Sequence, residues 1–149
     1  MQVRTGQSQE LVLREKNEGK QMGEMNSKIN RAVWFDIPVA DLDRAVEFYR
    51  AVLNIGVQVE QFGEIRFGVL DHEDGNGGCL ILNADQISSE KGITVYLNVD
   101  GRIQDAVAQV GKSGGSMKEP IHSIGPHGFR AIILDSEGNR TALHSNTDA

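Results

Sequence analysis

Val33, Phe35 and Ile37 alternate with Trp34 and Asp36, the two-residue period of a strand that buries one face. The pattern predicts a strand over about 31–38, with Pro38 ending its ladder by removing a donor. The period then lengthens. Leu42, Ala45, Val46, Tyr49, Val52 and Leu53 recur at helical spacing, with Asp41 placed to cap the helix, Asp43 in its first turn and Gly56 placed to close it. Short strands are expected at about 57–62, 64–71 and 78–83, the last two separated by the turn-rich run from Asp71 to Gly78. That run holds Asp71, Glu73 and Asp74 but lacks the regular ligand spacing of a calcium loop, so a solvated hairpin is expected.

The same order then returns. Ile93, Val95, Leu97 and Val99 alternate with Thr94, Tyr96 and Asn98 over 92–99. A helix near 102–113 follows, with Ile103, Ala106, Val107 and Val110 on its buried stripe and Gly114-Gly115 at its end. Strands near 116–122, 128–135 and 140–145 complete the copy, the last two joined by the tight turn Asp135-Ser136-Glu137-Gly138-Asn139. Ile65-Arg66-Phe67-Gly68-Val69-Leu70-Asp71 reappears as Phe129-Arg130-Ala131-Ile132-Ile133-Leu134-Asp135. A repeat of about sixty residues exceeds a solenoid unit and marks two copies of one module. Each is β-α-β-β-β, spanning about 29–84 and 91–146 in an α+β domain, with a pocket expected where the two share a core.

Composition narrows the partners. A chain of 149 residues suits one domain. The net charge of −6, without a basic run, argues against a nucleic-acid footprint. No segment reaches the apolar length of a membrane span. Cys79 is the single cysteine; it has no internal disulfide partner, fits a reducing cytoplasm, and reads as a small buried apolar residue. Residues 1–24 are polar and read as a disordered extension, leaving 25–149 as the folded domain.

Two phrases carry a family likeness: Val33-Trp34-Phe35-Asp36-Ile37-Pro38-Val39 with Asp41-Leu42-Asp43-Arg44-Ala45 and Phe48-Tyr49, and Gly125-Pro126-His127-Gly128-Phe129 with Leu134-Asp135-Ser136-Glu137-Gly138-Asn139-Arg140 and Leu143-His144-Ser145. Over about 30–145 the chain resembles the vicinal oxygen chelate superfamily of glyoxalase I, extradiol dioxygenases and bleomycin-resistance binding proteins, most closely its small lactoylglutathione-lyase-related members. The resemblance implies two modules forming a half-barrel around a central cavity, and a homodimer. In metal-dependent members one ligand comes from each of the first, fourth, fifth and eighth strands. Here those positions fall on Trp34, near Leu80, on Thr94 and on Ala142, none of them an imidazole or carboxylate. No metal and no cofactor are therefore expected.

Alternation then spells out a concave wall of Trp34, Asp36, Thr94, Tyr96, Asn98 and His144, with Arg66 or Arg130 at its rim. Trp34 offers a stacking face, and a carboxylate at Asp36 among apolar neighbours needs a partner. Histidine can switch protonation near neutral pH, which makes His144 the best acid-base candidate, with Asp36 expected beside it. His127 reads first as a loop histidine, in a Gly125–Gly128 segment whose glycines would suit a lid over the mouth. Each has a plainer reading: Trp34 covering a barrel end, Asp36 salt-bridged, Asn98 in a turn, His144 a satisfied structural histidine. The expected function is a metal-free, glyoxalase-like protein binding a small organic molecule. One alternative is a metal-independent isomerase or lyase with Asp36 and His144 as acid and base. The other is a metal-dependent lyase or dioxygenase with a non-standard ligand set.

Overall fold

Asp41 opens the first helix as expected: its carboxylate accepts the Arg44 amide at 3.0 Å, and α1 runs Leu42–Leu53. The helix stops at Asn54, which takes the left-handed conformation at φ 54°, two residues before the glycine expected to close it. Asparagine tolerates this geometry through local hydrogen bonding, so Gly56 is not required for it. The computed structural model describes Ala32 and residues 34–149, and Trp34–Ala149 is one compact unit. The expected extension 1–24, and Arg31 and Val33 of the expected first strand, lie outside the described residues; Ala32, Trp34 and Phe35 are not in strand, which begins at Asp36.

Module 1 contains β1 (Asp36–Val39), α1, β2 (Val57–Phe62), β3 (Ile65–Leu70) and β4 (Cys79–Leu82). Its sheet has the order β1-β4-β3-β2, with β1 parallel to β4. Pro38 does not end β1; it lies within it, facing Ile81. An edge strand tolerates the missing donor because only one side is paired.

Module 2 contains β5 (Tyr96–Asn98), α2 (Ile103–Lys112), β6 (Ser116–Ser123), β7 (Phe129–Leu134) and β8 (Arg140–Ser145), in the matching order β5-β8-β7-β6. The duplicated β-α-β-β-β plan thus appears as two open four-stranded sheets. The strand expected over 92–99 is shorter, and Ile93 is 92% exposed rather than buried. The ladder begins only at Val95, whose carbonyl accepts the Ala142 amide and the Thr141 hydroxyl.

One apolar core joins the halves. Ile37, Val39, Phe48 and Leu80 from module 1 cluster with Leu97, Ile103, Val110 and Leu143 from module 2. The Arg102 guanidinium reaches from α2 to the Val52 carbonyl of α1 at 2.7 Å. Across the same seam, the β7–β8 turn latches onto module 1. The Tyr49 hydroxyl donates to Asp135 at 2.7 Å, and the Asn139 amide donates to the Pro38 carbonyl at 2.7 Å. Glu137 accepts the backbone N–H groups of Ala40 and Asp41 at 3.1 and 2.8 Å, and both Arg44 Nε and a terminal guanidinium nitrogen. Burial opposes ionisation of Glu137, but these hydrogen bonds, with one from Ser136, outweigh it and hold its carboxyl down at about 2.

Candidate functional site

The strands that meet near the seam present alternate residues away from the helices. On β1, exposed Asp36 alternates with buried Ile37; on β5, exposed Tyr96 and Asn98 flank buried Leu97. The register places Tyr96 opposite Ala142, Asn98 opposite His144, and His144 opposite Arg130. Four of the positions expected to share a face, Tyr96, Asn98, Ala142 and His144, are therefore neighbours on one sheet. Asp36 belongs to the other sheet, opposite Cys79. Arg66 is not at this rim: it pairs with Asp43 of α1 at 3.6 Å, on the helix-covered side.

The polar groups are tied into separate networks. Arg130 donates to the Tyr96 hydroxyl at 2.5 Å and to His122 Nε2 at 3.1 Å. Because arginine only donates, His122 Nε2 accepts, and its proton sits on Nδ1, 2.8 Å from the Pro120 carbonyl. His144 Nε2 lies 2.7 Å from the His127 carbonyl, which fixes the His144 proton on Nε2 and leaves Nδ1 open as an acceptor. The His127 contribution is its backbone, and its side chain is exposed. Gly128 holds φ +96°, and a Cβ there would run into the Ser145 carbonyl, so this glycine allows two backbones to meet closely. Asn98 Oδ1 accepts the Asp100 amide at 2.9 Å, a turn contact.

Asp36 and His144 are not bonded to each other. Asp36 accepts the Cys79 thiol at 3.2 Å, whereas His144 turns to His127. Burial, reinforced by Asp36, pushes the Cys79 thiol up to about 12, so it is neutral and poorly nucleophilic. Half-buried Trp34 packs edge-on against His72, ring centroids 5.8 Å apart.

A cavity of about 230 Å³ opens between β1, the start of β8 and the inter-module linker. Asp36 and Pro38 line it from module 1, Arg140 and Thr141 from module 2, and Ser88 and Lys91 from the linker. Of the expected wall only Asp36 borders this cavity; Trp34, Thr94, Tyr96, Asn98, His127 and His144 stand outside its lining. Arg140 ends the run Leu134-Asp135-Ser136-Glu137-Gly138-Asn139-Arg140, and alternation from His144 puts it on the same side of β8. Its position at the seam depends on β1 and the linker, which no local pattern reveals.

Residues 31–56 match a family model described as bleomycin resistance protein-like N-terminal. The architecture matches a glyoxalase/bleomycin resistance protein/dioxygenase family enzyme from Burkholderia phytofirmans at TM-score 0.59 and 17% identity, covering 75% of this chain and 95% of that one. This is the vicinal oxygen chelate fold. The same fold is matched in the fosfomycin resistance protein FosX from Mesorhizobium loti, at TM-score 0.59 and 19% identity over 78% of this chain and 91% of that one. A glyoxalase-related enzyme from Fulvimarina pelagi gives TM-score 0.59 and 16% identity over 79% and 89%. No curated protein matches the sequence.

The register of the vicinal oxygen chelate fold corrects one assigned ligand position. Leu80 is fully buried and pairs with Gly68, whose own Cβ would point at Leu42 and Val46 of α1, so Leu80 faces the core. The open-face position is Cys79, opposite Asp36 as Ala142 is opposite Tyr96. A slip of one residue exchanges the faces of a strand. The four positions are then Trp34, Cys79, Thr94 and Ala142, a set with one sulfur whose proton is held tightly and no imidazole or carboxylate. Divalent ions that polarise substrate oxygens take imidazole and carboxylate ligands, and this set does not fit them. Among the described residues no three His, Cys, Asp or Glu side chains converge as a cage.

Proposed function

We propose that this chain uses the vicinal oxygen chelate frame as a metal-free binding protein for a small organic molecule, held in the cavity at the seam. The observation that supports this reading is the lining itself. Both modules and the linker contribute polar side chains to one opening, while the positions that relatives use for metal ligands carry Trp34, Cys79, Thr94 and Ala142. Asp36 supplies a carboxylate at the cavity, and Pro38 and Val95 supply apolar wall. A concave site with a few convergent polar groups is the usual form of a small-molecule site. A homodimer belongs to the same reading, and light scattering on eluting protein tests it. Among the described residues no helix is long and apolar enough to cross a membrane.

Thermal-shift screening with aldehydes, thiol adducts and antibiotics, followed by amide chemical shifts, tests the site. Binders should perturb Gly92 and Thr141 saturably, and the reading fails if no compound does so. A second reading, a metal-independent isomerase or lyase, draws on the open Nδ1 of His144. Turnover abolished by His144→Ala with binding retained would favour it. Metal-titrated melting addresses a non-standard metal site, which would require a saturable rise in Tm.

A further inference from the structure

We propose that the seam cavity selects molecules carrying a carboxylate, which Arg140 binds through its guanidinium. This rests on the cavity being the binding site, as proposed above. Arg140 Nε is buried and has no hydrogen-bond partner. Buried N–H groups in folded proteins are nearly always paired, so this donor, on a residue that lines the cavity, lacks the partner a fold ordinarily provides. The acceptor is not supplied by the chain: among the described residues, no carboxylate lies within ion-pair distance of Arg140 or of Lys91, the other cation lining the cavity.

The backbone fixes where the side chain begins. The Arg140 amide donates to the Ser88 carbonyl at 3.1 Å, clamping the start of β8 to the linker that forms the mouth. Leu134 faces it across β7. A guanidinium so placed offers a planar fork that matches a carboxylate. Asp36 lines the same opening without pairing to Arg140 or Lys91, so the site carries one carboxylate and two cations at separate points. A hydroxyl or ammonium on the ligand would meet Asp36 while its carboxylate meets Arg140. The volume of about 230 Å³ is roughly that of seven or eight liquid waters, a space for a small hydroxy or amino acid.

Lactate and propane-1,2-diol, matched in size and differing in the carboxylate, are titrated into the full chain and followed by the amide shifts of Gly92 and Thr141. Lactate should bind at least about tenfold more tightly than the diol, the scale of a charge-assisted hydrogen bond. R140Q should bring lactate to the level of the diol, with amide shifts remote from the cavity unchanged. Equal binding of the two probes to the wild-type chain overturns the proposal, as does undiminished lactate binding in a folded R140Q. The wild-type pair decides even where R140Q does not fold. Diol, aldehyde or antibiotic binding in the cavity without a carboxylate preference sinks this inference alone, whereas no perturbation by any probe sinks the binding reading as well.

Discussion

The loop after β3 and the turn after β7 occupy the same place in the two modules, yet they do different work. Both start with an aspartate whose Oδ1 accepts the amide two residues on, at 3.4 Å from Glu73 to Asp71 and at 2.9 Å from Glu137 to Asp135. There the likeness stops. Asp71 and Glu73 are exposed, whereas Asp135 is 2% exposed and the Glu137 side chain is fully covered. The difference lies in the partners: α1 presents the Tyr49 hydroxyl and the Arg44 guanidinium to the turn after β7, whereas the Asp71 amide meets the Gly56 carbonyl of its own module. A duplicated turn becomes a structural joint only when the other module supplies its partners.

Replacing the joint should cost far more than replacing the loop. Glu137→Ala strands two backbone N–H groups and Arg44, and is expected to lower stability by about 3 kcal/mol in urea denaturation. Glu73→Ala, the matching change in module 1, should stay within about 0.5 kcal/mol. A similar cost for the two would erase the contrast. Protonation tests the same joint without mutation. The Glu137 carboxyl titrates at about 2 in the fold against an ordinary 4.5, so its contribution is complete above the ordinary value and lost as pH falls toward 2. Acid titration of wild type should show this loss, reduced in Glu137→Gln. Tyr49→Phe leaves Asp135 Oδ2 with Asn139 alone and should cost about 1–2 kcal/mol by the same urea measurement. The smallest effect is expected at Glu73, which holds φ 48°: Glu73→Gly removes that strain and should shift stability by less than about 1 kcal/mol.

The duplicated plan was legible because each strand and helix buries a periodic stripe, and both copies spell it. Asp41 as a cap and Asp135–Asn139 as a turn were readable for the same local reason. The strand of Leu80 was legible but not its phase: Cys79-Leu80-Ile81-Leu82 is apolar throughout, so nothing in it distinguishes the core face from the open one. Ile93 misled because an apolar side chain ahead of a strand looks like part of the strand. Around the cavity, Asp36 was found from alternation, since a carboxylate interrupts an apolar pattern. Glu137 and Arg140 were visible as residues of a familiar phrase, but the groups they meet belong to β1, α1 and the linker, and pairings across nearly the whole domain leave no trace in local spacing.

Those long-range pairings also bear on how the molecule assembles. Glu137 meets Ala40 and Asp41 across 97 and 96 residues of chain. Closing so long a loop is entropically expensive, and contacts of this separation slow a folding reaction when they are required early. Each module can first build its own hairpins from neighbouring strands, with the joint set afterwards. Stopped-flow kinetics should accordingly show Glu137→Ala accelerating unfolding while leaving refolding nearly unchanged. The turn would then act as a brake on coming apart, deciding how long the folded chain persists and contributing little to how quickly it forms.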